Sequence, residues 1–134
     1  MSRTETVWIV DDDRSIRWVL EKALQQEGMT THSFENADSV LTRLNREQPD
    51  VIISDIIMPN MSGYELTRAL KASPVTEDIP IILLTAKRDI DSTLEGFAHG
   101  AADKLDKPFH PDELLARVRA RVDLKRLQDS LREK

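Results

Sequence analysis

Five short runs of apolar and β-branched residues alternate with stretches of helical spacing along this chain. The runs predict strands over residues 6–10, 30–34, 50–54, 79–85 and 102–105. Apolar residues at steps of three and four predict helices over residues 15–27, 37–48, 63–73, 90–100 and from 111 onward. Strands that alternate with helices form βαβ units around a parallel sheet. The pattern therefore predicts one α/β domain, a doubly wound five-stranded parallel sheet with five helices.

The predicted fourth strand, IPIILLT, is the most apolar of the five. Continuous apolar strands are typical of parallel sheets, because helices cover both faces of such sheets. In open sheets of this class, ligands bind outside the carboxyl ends of the strands. The residues at the end of each predicted strand are therefore the first candidates for a functional site.

Composition argues against several classes of protein. The sequence contains no cysteine, which excludes disulfides and thiolate metal sites and fits a cytoplasmic protein. A net charge of −5 argues against direct nucleic-acid binding. No apolar run approaches the roughly 20 residues that cross a bilayer, and the N-terminus resembles no signal peptide. We expect neither a nucleic acid nor a membrane as a partner.

Polar residues stand at the ends of four predicted strands, which share one edge of the sheet. They are Asp11, Asp12 and Asp13 after the first strand, Asp55 after the third, Thr85 at the fourth and Lys107 after the fifth. Asp13 is expected to cap the first helix, because aspartate often accepts hydrogen bonds from the first N–H groups of a helix. The other carboxylates repel one another and need a cation.

These residue types favour chemistry on a phosphoryl group. A ligand set made of oxygen atoms suits a hard ion such as Mg²⁺, which commonly works on phosphate. Lys107 adds a second positive charge, and Thr85 offers a hydroxyl to a phosphoryl oxygen. A carboxylate nucleophile can form an aspartyl-phosphate. The set therefore predicts transfer of a phosphoryl group onto a carboxylate.

Four motifs in this order, DDD, DIIMPNMSG, LLTA and KPF, resemble the receiver domains of two-component response regulators, which are CheY-like proteins. The resemblance covers about residues 6–122 and implies a flavodoxin-like (βα)5 fold. We expect a receiver domain over residues 1–122 and an extension of the last helix over residues 123–134. The first half is most similar to receivers of NtrC-type nitrogen regulators, and the second half to those of hybrid kinases and other regulators. A chimera and a natural divergent member are both interpretations of this split.

The resemblance also implies a role for each site residue. Asp55 would accept the phosphoryl group from a phosphohistidine on a sensor histidine kinase. Asp12 and Asp55 would bind Mg²⁺ directly, together with the backbone carbonyl of Ile57, and Asp11 would bind it through water. Lys107 would pair with Asp55 and then with the phosphoryl oxygens.

Thr85 would move to bond the phosphoryl group, and this conformational switch would regulate an output domain or protein that the sequence does not identify. The Lys107–Pro108 bond would be cis, as in the family. Such a domain catalyses its own phosphorylation and dephosphorylation, so that its standing as an enzyme is a matter of definition.

Two other functions compete with this interpretation. Phosphohydrolases with an aspartyl nucleophile, such as haloacid-dehalogenase-like enzymes, need a second acid two residues after the nucleophile, and here that position is Ile57. A degenerate receiver would serve only as a protein-interaction module with weak or no switching. The acidic, hydroxyl and lysine positions are all present, which favours the phosphorylated switch.

The end of the chain offers a further hypothesis about assembly. Leu124, Leu127 and Leu131 recur at steps of three and four in the predicted last helix. This seam could support a homodimer through the last helix, but it is shorter than two heptads. A fraying helix and the start of a linker explain the pattern equally well.

Lys104 departs from the pattern of similar receivers. It lies three positions before Lys107, where those receivers usually carry an aromatic residue whose ring turns inward on activation. An ammonium group on a flexible stem does not readily enter an apolar slot. We therefore predict a damped conformational response with intact phosphorylation chemistry.

Overall fold

A computed structural model describes residues 4–86 and 100–132 of the chain. Its strands are β1 (Thr6–Val10), β2 (Thr30–Phe34), β3 (Val51–Asp55), β4 (Ile81–Ala86) and β5 (Asp103–Lys107). The helices in the described part are α1 (Arg14–Gln26), α2 (Ala37–Arg43), α3 (Gly63–Lys71) and α4 (Pro111–Arg132). The helix predicted over residues 90–100 lies outside the described residues, apart from its final glycine.

All neighbouring strands of the sheet are parallel, in the order β2-β1-β3-β4-β5. The order reverses between β1 and β3, whose carboxyl ends therefore flank the expected ligand crevice. This arrangement confirms the predicted doubly wound, flavodoxin-like sheet. In the described part of the chain, no helix has the length and apolar content that a membrane span requires.

Helices cover both faces of the sheet, and each face has its own apolar core. Residues of α1 and α4 pack against one face, and its buried members include Val7, Ile9, Leu20, Leu24, Ile53, Leu114 and Val118. Residues of α2 and α3 pack against the other face, and its buried members include Trp8, Val40, Ile52, Leu66, Leu70 and Leu83. Burial on both faces explains why β3 and β4 are almost continuously apolar.

Some element ends differ from the predicted ones. β4 begins at Ile81 instead of residue 79, because Pro80 has no N–H to donate and the N–H of Ile79 donates to the carbonyl of Thr76 at 3.1 Å. α2 ends at Arg43, earlier than predicted, and the chain continues in turns. These differences leave the order of the elements unchanged.

The strand ends also place the polar residues more exactly than the sequence could. Asp55 is the last residue of β3 and Lys107 is the last residue of β5, whereas we expected both to follow their strands. Thr85 is the penultimate residue of β4. Regular strand geometry therefore fixes the backbone of all three residues.

Candidate functional site

Three carboxylates meet at the carboxyl ends of β1 and β3. Ligand oxygens of Asp11, Asp12 and Asp55 all lie within 4.8 Å of one another. Asp11 is fully buried and Asp12 is exposed, while Asp55 is intermediate. An all-oxygen set at this spacing, open to solvent on one side, fits a hard divalent cation such as Mg²⁺ that keeps part of its water shell.

Lys107 joins the same cluster from β5. Its Nζ lies 3.4 Å from Oδ2 of Asp11 and 3.5 Å from Oδ2 of Asp55. The Lys107–Pro108 peptide bond is cis, as the resemblance implied. One ammonium group faces three carboxylates here, so that the cluster retains an excess of negative charge.

Burial raises the pKa of the Asp11 carboxyl, although the N–H of Asp13 and the Lys107 ammonium act in the opposite direction. Burial also raises the pKa of Asp55, and the negative charge of Asp11 adds to this effect against the attraction of Lys107. The protein therefore holds ionised carboxylates in this cluster at a cost in free energy. A bound cation would relieve that cost.

The segment after β1 fixes Asp11 and begins α1. Oδ1 of Asp11 accepts a hydrogen bond from the N–H of Asp13 at 2.8 Å, and Arg17 donates to the Asp11 carbonyl at 2.6 Å. Oδ1 of Asp13 in turn accepts from the N–H groups of Ser15 and Ile16, which confirms the predicted cap. Asp13 thus caps helix α1, whereas Asp11 is part of the carboxylate cluster.

The loop after Asp55 folds tightly against the start of α3. Asn60 adopts a positive φ of 70°, and the N–H of Gly63 donates to the carbonyl of Ile56 at 2.8 Å. A Cβ on Gly63 would lie 2.5 Å from the carbonyl oxygen of Asp55. Glycine at this position therefore permits the close approach that holds the loop. Ile57 lies in this loop with its side chain 70% exposed, and metal binding by its carbonyl stays a prediction.

Thr85 makes a contact that the sequence did not predict. Its hydroxyl donates to Oδ1 of Asp106 at 2.5 Å, across the β4–β5 pair in which these two residues are partners. Lys104 Nζ lies 3.0 Å from the same oxygen. The structure therefore brings Asp11, Asp12, Asp55 and Lys107 together, whereas the Thr85 hydroxyl donates to Asp106.

Sequence reasoning missed Asp106 as a partner of the site threonine. The available signal was an acidic residue directly before the lysine of the KPF motif. That signal is weak, because the pairing depends on the register between β4 and β5.

Comparison with known protein families gives a match over most of the chain. The model of the response regulator receiver domain family matches residues 7–119. That range includes all of the carboxylate, threonine and lysine positions described above.

Two relatives support membership of the same family. The DNA-binding transcriptional regulator NtrC of Proteus hauseri is 50% identical over 112 residues, which are 84% of this chain and 23% of the relative. The phosphate regulon transcriptional regulatory protein PhoB of Pseudomonas aeruginosa is 41% identical over 116 residues, which are 87% of this chain and 51% of the relative. The chain thus spans about a quarter of the NtrC relative and about half of the PhoB relative.

A solved structure agrees with the fold. The signal receiver domain of a signal transduction histidine kinase from Syntrophus aciditrophicus superposes with a TM-score of 0.85 at 32% identity. The match covers 90% of this chain and 91% of that one. The hypothesis of a chimera stays a prediction.

Proposed function

Because this chain belongs to the response regulator receiver domain family, we propose that it accepts a phosphoryl group from a sensor histidine kinase onto Asp55. The observation that carries the proposal is the convergence of Asp55 with Asp11, Asp12 and the Lys107 ammonium at one edge of the sheet. Asp55 is partly accessible at the end of β3, so that a donor can reach its carboxylate.

The transfer is a substitution at phosphorus. A carboxylate oxygen of Asp55 attacks the phosphorus atom of the phosphohistidine, the P–N bond breaks, and its electron pair returns to the imidazole nitrogen. The product on this chain is an acyl phosphate. Such transfer depends mainly on positioning and on stabilisation of the charge of the phosphoryl oxygens. Lys107, already 3.5 Å from Asp55, would bind one of these oxygens.

Asp12 and Asp55, together with the carbonyl of Ile57, would hold Mg²⁺ directly, and Asp11 would hold it through water. The clustering of the three carboxylates supports this assignment. When bound, the ion supplies positive charge to the phosphoryl oxygens. Lys107 orients the Asp55 carboxylate and favours its ionised form, against the opposing effects of burial and of the Asp11 charge.

The phosphorylated domain would act on an output domain or protein through a conformational change in which Thr85 bonds the phosphoryl group. We assign the receiver to residues 1–122 and treat residues 123–134 as the extension of its last helix, in a protein of the cytoplasm. The continuous helix α4 supports this division.

A homodimer through the last helix is a finer part of the proposal. Leu124, Leu127 and Leu131 are 41%, 58% and 64% exposed on α4. Three large apolar side chains at helical spacing form a stripe that a second copy could cover.

The proposal is tested by intact-mass measurement after incubation with acetyl phosphate and Mg²⁺. The wild-type chain should gain the mass of one phosphoryl group, and Asp55→Asn should gain none while circular dichroism shows that it is folded. Equal labelling of both proteins would place the phosphoryl group elsewhere. A chain that takes up no phosphoryl group would favour the interaction module.

A further inference from the structure

Three polar side chains form a connected group on β4 and β5, beside the proposed phosphorylation site. Thr85 Oγ1 lies 2.5 Å from Asp106 Oδ1, and Lys104 Nζ lies 3.0 Å from the same oxygen. Lys104 and Asp106 are two residues apart on one strand, so that both side chains point to the same face. We call these three residues the threonine clamp.

The clamp engages the single hydrogen of the Thr85 hydroxyl. Thr85 is 1% exposed, which limits its access to water as an alternative partner. A hydroxyl has one hydrogen, so Thr85 cannot donate to Asp106 and to a phosphoryl oxygen at the same time. A hydrogen bond to an ionised carboxylate is also stronger than one to a neutral acceptor.

Lys104 supports the clamp from the other side. Its ammonium group shares Oδ1 of Asp106 with the threonine, and its side chain is 24% exposed. Through this contact Lys104 holds the Asp106 carboxylate toward the Thr85 hydroxyl on β4. Because the Asp106 side chain is 49% exposed, water screens this pair, and Lys104 is expected to contribute less than Asp106 itself.

We propose that Asp106 is a positioning residue that holds the Thr85 hydroxyl away from Asp55 before phosphorylation, with Lys104 fixing Asp106 in place. Phosphorylation must then exchange the Thr85–Asp106 hydrogen bond for a bond from Thr85 to the phosphoryl group. A ligand shifts a conformational equilibrium only by its difference in affinity for the two states. Asp106 therefore lowers the affinity of the site for a phosphoryl group or its mimic. This inference rests on the proposed function of Asp55.

The test is a titration of the full chain with beryllofluoride, a phosphoryl mimic, at saturating Mg²⁺. Asp106→Ala should tighten beryllofluoride binding about five- to tenfold, less than the loss of a fully buried charge-assisted hydrogen bond would give, because the carboxylate is half exposed. Asp106→Asn keeps a neutral acceptor for the hydroxyl and should give a smaller gain. The affinity for Mg²⁺ alone should not change in either variant, which also reports that the site is folded.

Repeating the titration in a variant without the Thr85 hydroxyl separates the positioning effect of Asp106 on beryllofluoride affinity from the effect of its charge. Removal of a carboxylate near an anion site could tighten binding by electrostatics alone, and that effect would persist without the threonine hydroxyl. In Thr85→Val, which removes the hydroxyl at similar volume, Asp106→Ala should change the beryllofluoride affinity by less than about twofold.

Unchanged affinity in Asp106→Ala would overturn the proposal, and so would an equal gain from Asp106→Ala in the Thr85→Val background. Equal gains in Asp106→Asn and Asp106→Ala would also contradict it, because a pure charge effect predicts that equality. If Asp55→Asn takes up a phosphoryl group as well as wild type does, the proposed function fails independently of these titrations. If neither the wild-type chain nor any variant binds beryllofluoride, both the proposed function and the clamp are wrong.

Discussion

Lys107 Nζ lies 3.5 Å from Oδ2 of Asp55, so that the last residue of β5 is paired with the last residue of β3 across the end of β4. The same ammonium lies 3.4 Å from the fully buried Asp11. A single lysine therefore offsets part of the negative charge of the cluster in the metal-free protein. The stability of the domain and the chemistry of the site are coupled through this side chain.

Replacement of Lys107 by alanine should destabilise the metal-free domain. The variant leaves Asp11 and Asp55 without their ammonium partner, and we expect a loss of about 1–2 kcal/mol in the free energy of unfolding, reduced from the value for a fully buried pair because Lys107 is 27% exposed. Urea denaturation would measure the loss. Arg119→Ala, which removes an exposed pair with Glu27, is the control and should change stability by less than about 0.5 kcal/mol. Equal effects of the two variants would contradict the prediction.

Asp12→Ala should remove stabilisation by Mg²⁺ and raise the thermal stability of the metal-free protein. The change relieves repulsion within the cluster but deletes a proposed ligand. At Mg²⁺ concentrations of about 100 times Kd, wild type should gain roughly 2.7 kcal/mol, and the variant should gain little. Melting curves with and without Mg²⁺ measure both effects. If Mg²⁺ raises the melting temperature of both proteins equally, Asp12 is not a ligand.

The pKa of Asp55 predicts how metal-free stability depends on pH. Burial and the charge of Asp11 raise this pKa above its ordinary value of 3.8, so that the folded state binds the proton more tightly than the unfolded state. Protonated Asp55 therefore contributes to the free energy of unfolding at pH values below its ordinary pKa, and this contribution is lost as pH rises through the raised pKa.

Asp55→Asn cannot ionise, so its advantage in unfolding free energy over wild type should widen as pH rises from about 4 to 7. Urea denaturation without metal would measure this difference, and saturating Mg²⁺ should reduce it in the neutral range. A difference that is constant with pH would show that Asp55 titrates normally.

Gly63→Ala should destabilise the domain and weaken phosphorylation. Its Cβ would lie 2.5 Å from the Asp55 carbonyl oxygen, and relief of that contact requires a backbone shift that we expect to cost about 1–3 kcal/mol. Gly28→Ala is a suitable control. Its positive φ of 83° makes alanine strained at this position, but the added Cβ would meet no atom within 4 Å. The control should lose stability but label with acetyl phosphate at the wild-type rate, and equal rates in both variants would argue against a role for Gly63 in the site.

Lys104→Tyr should enlarge the conformational response. The ammonium group is held 3.0 Å from Asp106, and burial of its charge in an apolar slot is unfavourable, whereas an aromatic ring can enter such a slot. The differences in backbone amide NMR shifts between the beryllofluoride-bound and the free protein should be larger along residues 86–105 in the variant than in wild type. Equal responses in the two proteins would show that this position does not influence switching.

The sequence was sufficient to predict the sheet, because continuous apolar strands and helical spacing reflect burial on two faces. The proximity of Asp11, Asp12, Asp55 and Lys107 could also be predicted from the sequence, since parallel strands end at a common edge. The partner of Thr85 could not be predicted in this way. β5 reads DKLDK, in which Leu105 alone is apolar, so that the sequence specifies its register only weakly, and a slip of one residue would turn Asp106 to the other face.

Helix α4 begins four residues after Lys107 and continues without interruption for 22 residues. At a rise of 1.5 Å per residue it is a rod about 33 Å long, whose first turn follows the KPF loop. By simple geometry, a tilt of about 10° at the first turn would displace the last turn by about 6 Å at that length. A small change of angle at the KPF loop would therefore become a displacement of several ångströms at the exposed leucines near the other end of the helix.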